Sequence, residues 1–308
     1  MKGRPMTPTP EPVRTDELPE AFRLLFQNAA ADDQETRIVN ALGLVRRGEL
    51  DPQGLFVMRG RGRLLGAVLC LPLPGESALV WPPQCAPDKR RSLFEDALLR
   101  CAAEWLRARD VRVAQALLSP EEAELADALP RNGFAHVTHL LFLRRDLSLP
   151  QPRLRSRARL KYQSYNPSEP SLFHQTLQNT YKDTLDCPEL NGVRGVEEVI
   201  AGHRGQSHFD PDLWLLALAD GLPVGVLLLM RSPETHDWEI SYVGVAPEAR
   251  RRGFGRELVL KALAQARTAG APYLTLSVDA RNQPARELYR VLGFEAYDRR
   301  EVFLAVWK

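Results

Sequence analysis

The feature that most constrains this 308-residue chain is an internal repeat. Pro87 in "CAPDKRR" and Pro247 in "VAPEARR" lie 160 residues apart, and Gly133 in "RNGF" and Gly293 in "VLGF" keep the same spacing. Upstream, Gly62 and Gly66 of "GRLLGAV" match Gly221 and Gly225 of "GLPVGV" at a spacing of 159, one insertion away. Two copies are too few for a solenoid, so the chain is a duplicated domain, and its length is about twice that of a usual one. The seam is expected near Pro150 and Pro152 in "SLPQPRLRSRARL", dividing the chain into 1–150 and 151–308. There Arg153, Arg155, Arg157 and Arg159 are open to two readings, a nucleic-acid arm or an exposed strand face opposite Leu154, Ala158 and Leu160.

With 41 basic and 39 acidic residues, a formal charge of +2 gives no overall field for nucleic acid or an anionic membrane. Any basic site must be local. The N-terminus lacks a signal-peptide core and nowhere do about 18 apolar residues run together, so a cytoplasmic protein with neither membrane nor nucleic-acid partner is expected. Cys70, Cys85, Cys101 and Cys187 form no CxxC pair, and His203 with His208 lacks a third ligand. Neither a disulfide frame nor a metal site is expected.

In the second half, periodicity predicts a strand over 159–166, helices over 170–185 and 194–206, and strands over 213–220, 223–231 and 237–245. A helix over 251–269, a strand over 272–279, a helix over 284–292 and a strand over 296–307 follow. That order makes an α/β fold with a mixed sheet flanked by helices.

Between two of these elements stands "VAPEARRRGFGREL". A strand, a short loop and a helix whose first turn carries Gly253 and Gly255 form an anion site, because free N–H groups and the helix dipole face outward there. A plain helix start with a solvated basic turn is the other reading. No Gly-Lys-Ser/Thr follows, and a third glycine is missing, so this is neither a Walker loop nor a dinucleotide fingerprint.

Arg250-Arg251-Arg252-Gly253-Phe254-Gly255 resembles the Arg/Gln-x-x-Gly-x-Gly/Ala signature of the GNAT acetyltransferase superfamily. "EISYVGVAPEAR" is similar to that family's fourth strand, and "LSVDARNQPARELYRVLGFE" to its fifth strand and next helix, over residues 155–308. The resemblance implies two tandem GNAT domains, each a mixed, mostly antiparallel sheet flanked by helices. It implies acetyl-CoA as cosubstrate, with the pyrophosphate on Arg250–Arg256 and the pantetheine arm between strands four and five, near Val243, Gly244, Val245, Asn282 and Tyr289.

At the 160 spacing, Gly253, Gly255, Asn282, Tyr289 and Glu239 become Leu93, Glu95, Glu122, Leu129 and Leu79. A glutamate would repel the pyrophosphate and a leucine would fill its space, so residues 1–150 are expected to be a degenerate, non-catalytic copy. The arrangement is similar to that of mycothiol synthase, a likeness of architecture that leaves the substrate open.

Acyl transfer to an amine needs a base for the amine and a proton donor for the leaving thiolate. Glu239 stands where the family often carries a base, sharing at strand alternation a face with Ser241, Val243 and Val245; a surface strand glutamate is the alternative. Tyr289 stands where the family places a hydroxyl near the CoA sulfur, or is a core aromatic. Asn282 binds CoA or caps the next helix, and a backbone N–H near Val243 or Gly244 would receive the thioester oxygen. Tyr181, Asp183, Asp186 and Glu189 are available to a cationic amine, or belong to a solvated loop. Cys187 could suggest a covalent intermediate, but the family mostly transfers directly in a ternary complex. An N-acetyltransferase acting on a small-molecule or protein amine competes with an acyl-CoA sensor or partner-binding module on the same fold; Glu239, Asn282 and Tyr289 together favour the enzyme.

Overall fold

The computed structural model describes residues 9–29, 31–60, 62–150, 160–206, 209–232 and 235–307. Its first half runs β1 (Glu11–Pro12), α1 (Leu18–Leu25), α2 (Ala31–Arg46), β2 (Leu55–Gly60), β3 (Arg63–Leu73), β4 (Ser77–Cys85), α3 (Arg91–Arg107), β5 (Val113–Leu118), α4 (Ala128–Arg131) and β6 (Ala135–Asp146). The second half runs β7 (Lys161–Ser164), α5 (Ser171–Tyr181), α6 (Val196–Gly205), β8 (Trp214–Ala219), β9 (Leu222–Arg231), β10 (Trp238–Val245), α7 (Phe254–Thr268), β11 (Tyr273–Asp279), α8 (Gln283–Val291) and β12 (Glu295–Val306). Subtracting 160 from the bounds of β12 gives those of β6. The arginines 153–159 and His208 lie outside the described residues.

Two compact units result, Met1–Val137 with Glu301–Lys308, and Thr138–Arg300. A cut at 150/151 is thereby corrected. Residues 140–146 of β6 pair antiparallel with β11, whereas residues 301–306 of β12 pair antiparallel with β5, so each copy's last strand completes the other copy's sheet. Both β5 and β11 would otherwise present an unpaired edge.

In the first unit β1, β2, β3, β4, β5 and the end of β12 are neighbours in that order, and only β4 and β5 run parallel. In the second the order is β7, β8, β9, β10, β11 and the end of β6, with β10 and β11 the parallel pair. Asp220 and Gly221, at φ 51° and 82°, close the β8–β9 hairpin in the two-residue form that matches strand twist.

The second unit's helices cover both faces of its sheet. Leu258, Val259, Ala262, Leu263 and Ala266 bury the apolar stripe of α7 against Ile240, Leu274 and Leu276. On the other face Phe173 and Leu177 of α5 pack with Trp214, Val226 and Leu228. Each of the leucines, isoleucines, valines and phenylalanines among them contributes about 1.5–3 kcal/mol by leaving water.

Two irregularities shape the site. The β9–β10 register shifts between Ile240 and Tyr242, a bulge at Ser241. Pairing of β10 with β11 stops at Ile240, so Tyr242 to Val245 diverge from β11 while still paired to β9. The strands therefore splay.

Candidate functional site

The loop after β10 departs from the expected helix start at 251. Arg251 and Gly253 adopt φ 63° and 85°, and α7 begins only at Phe254. Left-handed residues break the helical run and turn successive N–H groups outward. The Arg250 N–H bonds Pro247 O, and helical bonding resumes with the Glu257 N–H on Gly253 O. Between them, the N–H groups of Arg251, Arg252, Gly253, Phe254 and Gly255 have no acceptor among the described residues. Five donors at the positive end of a 15-residue helix are chemically suited to an anion. Gly255 leaves room beside Leu288 and Val245, 3.8 Å from where a Cβ would stand.

The arginines of the motif divide their work. Arg251 is exposed and makes no side-chain hydrogen bond, ion pair or ring contact among the described residues, while the Arg252 guanidinium lies over Phe254 at 4.9 Å. Arg256 approaches Glu257 at 3.8 Å. Arg250 is engaged by main-chain carbonyls: its Nε donates to Val245 O at 3.1 Å and its Nη1 to Asp183 O at 3.0 Å, while its Nη2 donates to Thr180 O at 3.2 Å and Lys182 O at 2.5 Å.

Around the splay, the bulge moves Glu239 off the face expected for it. Val243 and Val245 pack with Trp238 and Ile240 on the α7 side, so Glu239 lies on the opposite face, that of Tyr242. Its carboxyl makes no hydrogen bond or ion pair among the described residues, and burial raises it above the ordinary carboxylate value. Gly244 is obligatory for packing, because a Cβ would stand 2.6 Å from Thr180 and 2.7 Å from the Tyr242 hydroxyl. Tyr289, on α8, is 6% exposed and edges against Phe294 at 5.6 Å. Its hydroxyl has no partner among the described residues; burial first, then Asp186 and Tyr242, push the phenol above its ordinary value. Asn282 accepts the Ala285 N–H at 3.3 Å and caps α8.

The segment after α5 closes this side. Tyr181 pairs its hydroxyl with His203 at 2.9 Å, and burial pushes that imidazole down to about 4 and keeps it neutral. Asp183 sits at φ 51°. Asp186 accepts the Asp279 N–H at 2.8 Å, and burial raises its carboxyl to about 6. Glu189 is held bidentately by Arg281 at 2.6 and 2.9 Å. Burial pushes the Cys187 thiol up to about 12, with neighbouring carboxylates adding to it, so it is no nucleophile at neutral pH.

Asp279 and Arg281 carry a role that spacing did not announce. Fully buried Asp279 accepts from Thr138 at 2.6 Å, from Arg281 at 2.7 Å and from the Cys187 N–H at 3.1 Å. Burial opposes its charge, but the hydrogen bonds of Arg281 and Thr138 and the backbone donors outweigh it and hold the carboxyl at about 2. Asp186, Cys187 and Asp279 bring ligand-type atoms within 4.8 Å of one another, yet the Asp279 oxygens are already filled by these donors. The one available signal was the Asp-x-Arg pair at the strand exit in "VDARN".

The first unit has the frame without the seat. At the 160 spacing α7 would begin at residue 94, but α3 begins at Arg91. Its N–H groups are used internally: Arg90 on Asp88 Oδ1, Arg91 on Asp88 O, and Leu93 and Phe94 on Arg90 O. Glu95, in place of Gly255, fills the spot with a carboxylate held by Arg91 at 2.6 Å and Arg131 at 3.4 Å.

Comparison with known proteins agrees with this geometry. Residues 177–294 match the family described as "Acetyltransferase (GNAT) family". The mycothiol acetyltransferase of Thermomonospora curvata is 31% identical over 290 residues, 89% of this chain and 94% of that protein. Among solved structures, a GCN5-related N-acetyltransferase from Sphaerobacter thermophilus aligns with TM-score 0.62 at 18% identity, over 96% of this chain and 94% of that one. A tandem GNAT protein from the clavulanic acid biosynthesis pathway aligns at TM-score 0.52 and 19% identity, over 97% of both chains. This chain belongs to the GNAT acetyltransferase family, in a tandem form, and is an N-acetyltransferase.

Proposed function

We propose that the second unit transfers an acetyl group from acetyl-CoA to a primary amine of a small polar molecule, directly within a ternary complex, and that the first unit does not turn over. The observation that carries this reading is the run of five unpartnered N–H groups from Arg251 to Gly255. They suit a pyrophosphate, and Arg251 adds a cation that nothing else uses. The relative named mycothiol acetyltransferase supports a small-molecule acceptor.

Acetyl-CoA would supply the acyl group as an activated thioester. The open side of Tyr242 to Val245 offers main-chain groups along the splay, suited to the arm and to charge developing on the acyl oxygen. Glu239 takes the amine proton, directly or through water, and its raised carboxyl makes it a stronger base than one in water. Tyr289, kept protonated by burial, gives its hydrogen to the departing sulfur.

Thiol release from acetyl-CoA, followed over polyamines, amino acids, aminoglycosides, amino sugars and cysteinyl amines, tests the proposal. Turnover with at least one, abolished by Glu239→Gln, is expected. No release above hydrolysis with any of them would overturn it in favour of a binding module.

A further inference from the structure

The geometry points to Arg250 as a positioning residue that ties the acceptor wall to the acetyl-CoA loop, and not as a ligand of the pyrophosphate; this rests on the function proposed above. Its fork spans four carbonyl oxygens, one at the exit of β10 (Val245) and three at the end of α5 and just beyond it (Thr180, Lys182, Asp183). The last carbonyls of a helix have no partner inside it and carry its negative end, so a guanidinium there is held by charge as well as by geometry. Asn179 adds a second tie, donating to Glu248 at 2.9 Å.

The same segment is fastened again at its far end. The Asp279 N–H holds Asp186, the Asp279 carboxylate holds the Cys187 N–H, and Arg281 holds Glu189. Residues 180–189 are therefore strung between the loop offering the N–H seat and the exit of β11. A ligand that fixes the first loop fixes one anchor of the acceptor wall, so acetyl-CoA completes that wall before the amine arrives. Lysine keeps the charge of Arg250 but is a single point donor and cannot bridge four carbonyls.

Hydrogen exchange of the peptide covering 180–190 is measured on the full chain with and without acetyl-CoA at ~1 mM, and affinity by calorimetry, for wild type and Arg250→Lys. In wild type, acetyl-CoA is expected to slow exchange there about tenfold. In Arg250→Lys the dissociation constant should stay within about threefold while the ligand-dependent slowing disappears. A merely structural cap would raise exchange equally with and without ligand. Affinity lost about tenfold or more in the variant, or slowing that persists in it, overturns the proposal. Absence of slowing in wild type despite acetyl-CoA binding overturns it without any variant, whereas failure of wild type to bind acetyl-CoA overturns the functional reading itself.

Discussion

Glu239, Tyr289 and Asp186 are all raised above their ordinary values, but only the Asp186 side chain has a hydrogen-bond partner among the described residues, and their chemistry follows from that difference. Glu239 has none among the described residues, so its proton affinity is set by burial alone. Glu239→Gln should lower kcat by about 10²–10⁴ while acetyl-CoA affinity measured by calorimetry changes little. The acid limb of the wild-type pH–rate profile, where activity is lost as the raised carboxyl protonates, should be missing from the residual activity. Tyr289→Phe keeps the ring against Phe294 and removes only the donor, so kcat should fall about 10–100-fold with an unchanged melting curve. Asp186 was legible as a loop carboxylate but not as one fastened to the exit of β11, since its anchor, Asp279, lies 93 positions away in sequence. Its folded value of about 6 stands above the unfolded one, near 3.9. Its stabilising contribution is then complete below that unfolded value and is lost as pH rises through 6. Asp186→Asn, which mimics the protonated form, should therefore melt higher than wild type at pH 8, with about half of the difference gone at pH 5 and the rest closing only below about pH 4.

The loop before α7 shows which parts of an element a pattern can announce. The apolar stripe of Leu258, Val259, Ala262, Leu263 and Ala266 located the helix, because burial repeats with the helical period. Its start was misplaced by three residues, because Arg251 takes a left-handed conformation that no periodicity encodes. The bulge at Ser241 was hidden for a similar reason: Ile-Ser-Tyr-Val continues an acceptable strand, and only pairing with β9 reveals the extra residue. The two motif glycines should behave unequally. A side chain at Gly253 meets nothing within 4 Å but must adopt φ 85°, at about 1–2 kcal/mol, whereas a Cβ at Gly255 makes ordinary contacts. Gly255→Ala should bind acetyl-CoA within about threefold of wild type in a calorimetric titration. Gly255→Glu, which copies the first unit's residue, should abolish binding by setting a carboxylate before the phosphates.

Across the molecule, duplication was written plainly in the spacing of 160, and β6 and β12 reproduce it to the residue. The exchange of these two strands was not, because both copies offer an equivalent edge, on β5 and on β11, and an apolar strand pattern does not say which one it will join. The proposed division of labour between the copies rests on Leu93 and Glu95, and in the first copy's loop Asp88 and Arg90 accept the N–H groups of Arg90, Arg91, Leu93 and Phe94. Unequal copies imply unequal binding. Calorimetric titration of acetyl-CoA into wild type and Gly253→Glu is the most direct measurement of this account. One site per chain in wild type and none in the variant is the predicted result; binding that survives Gly253→Glu would contradict it.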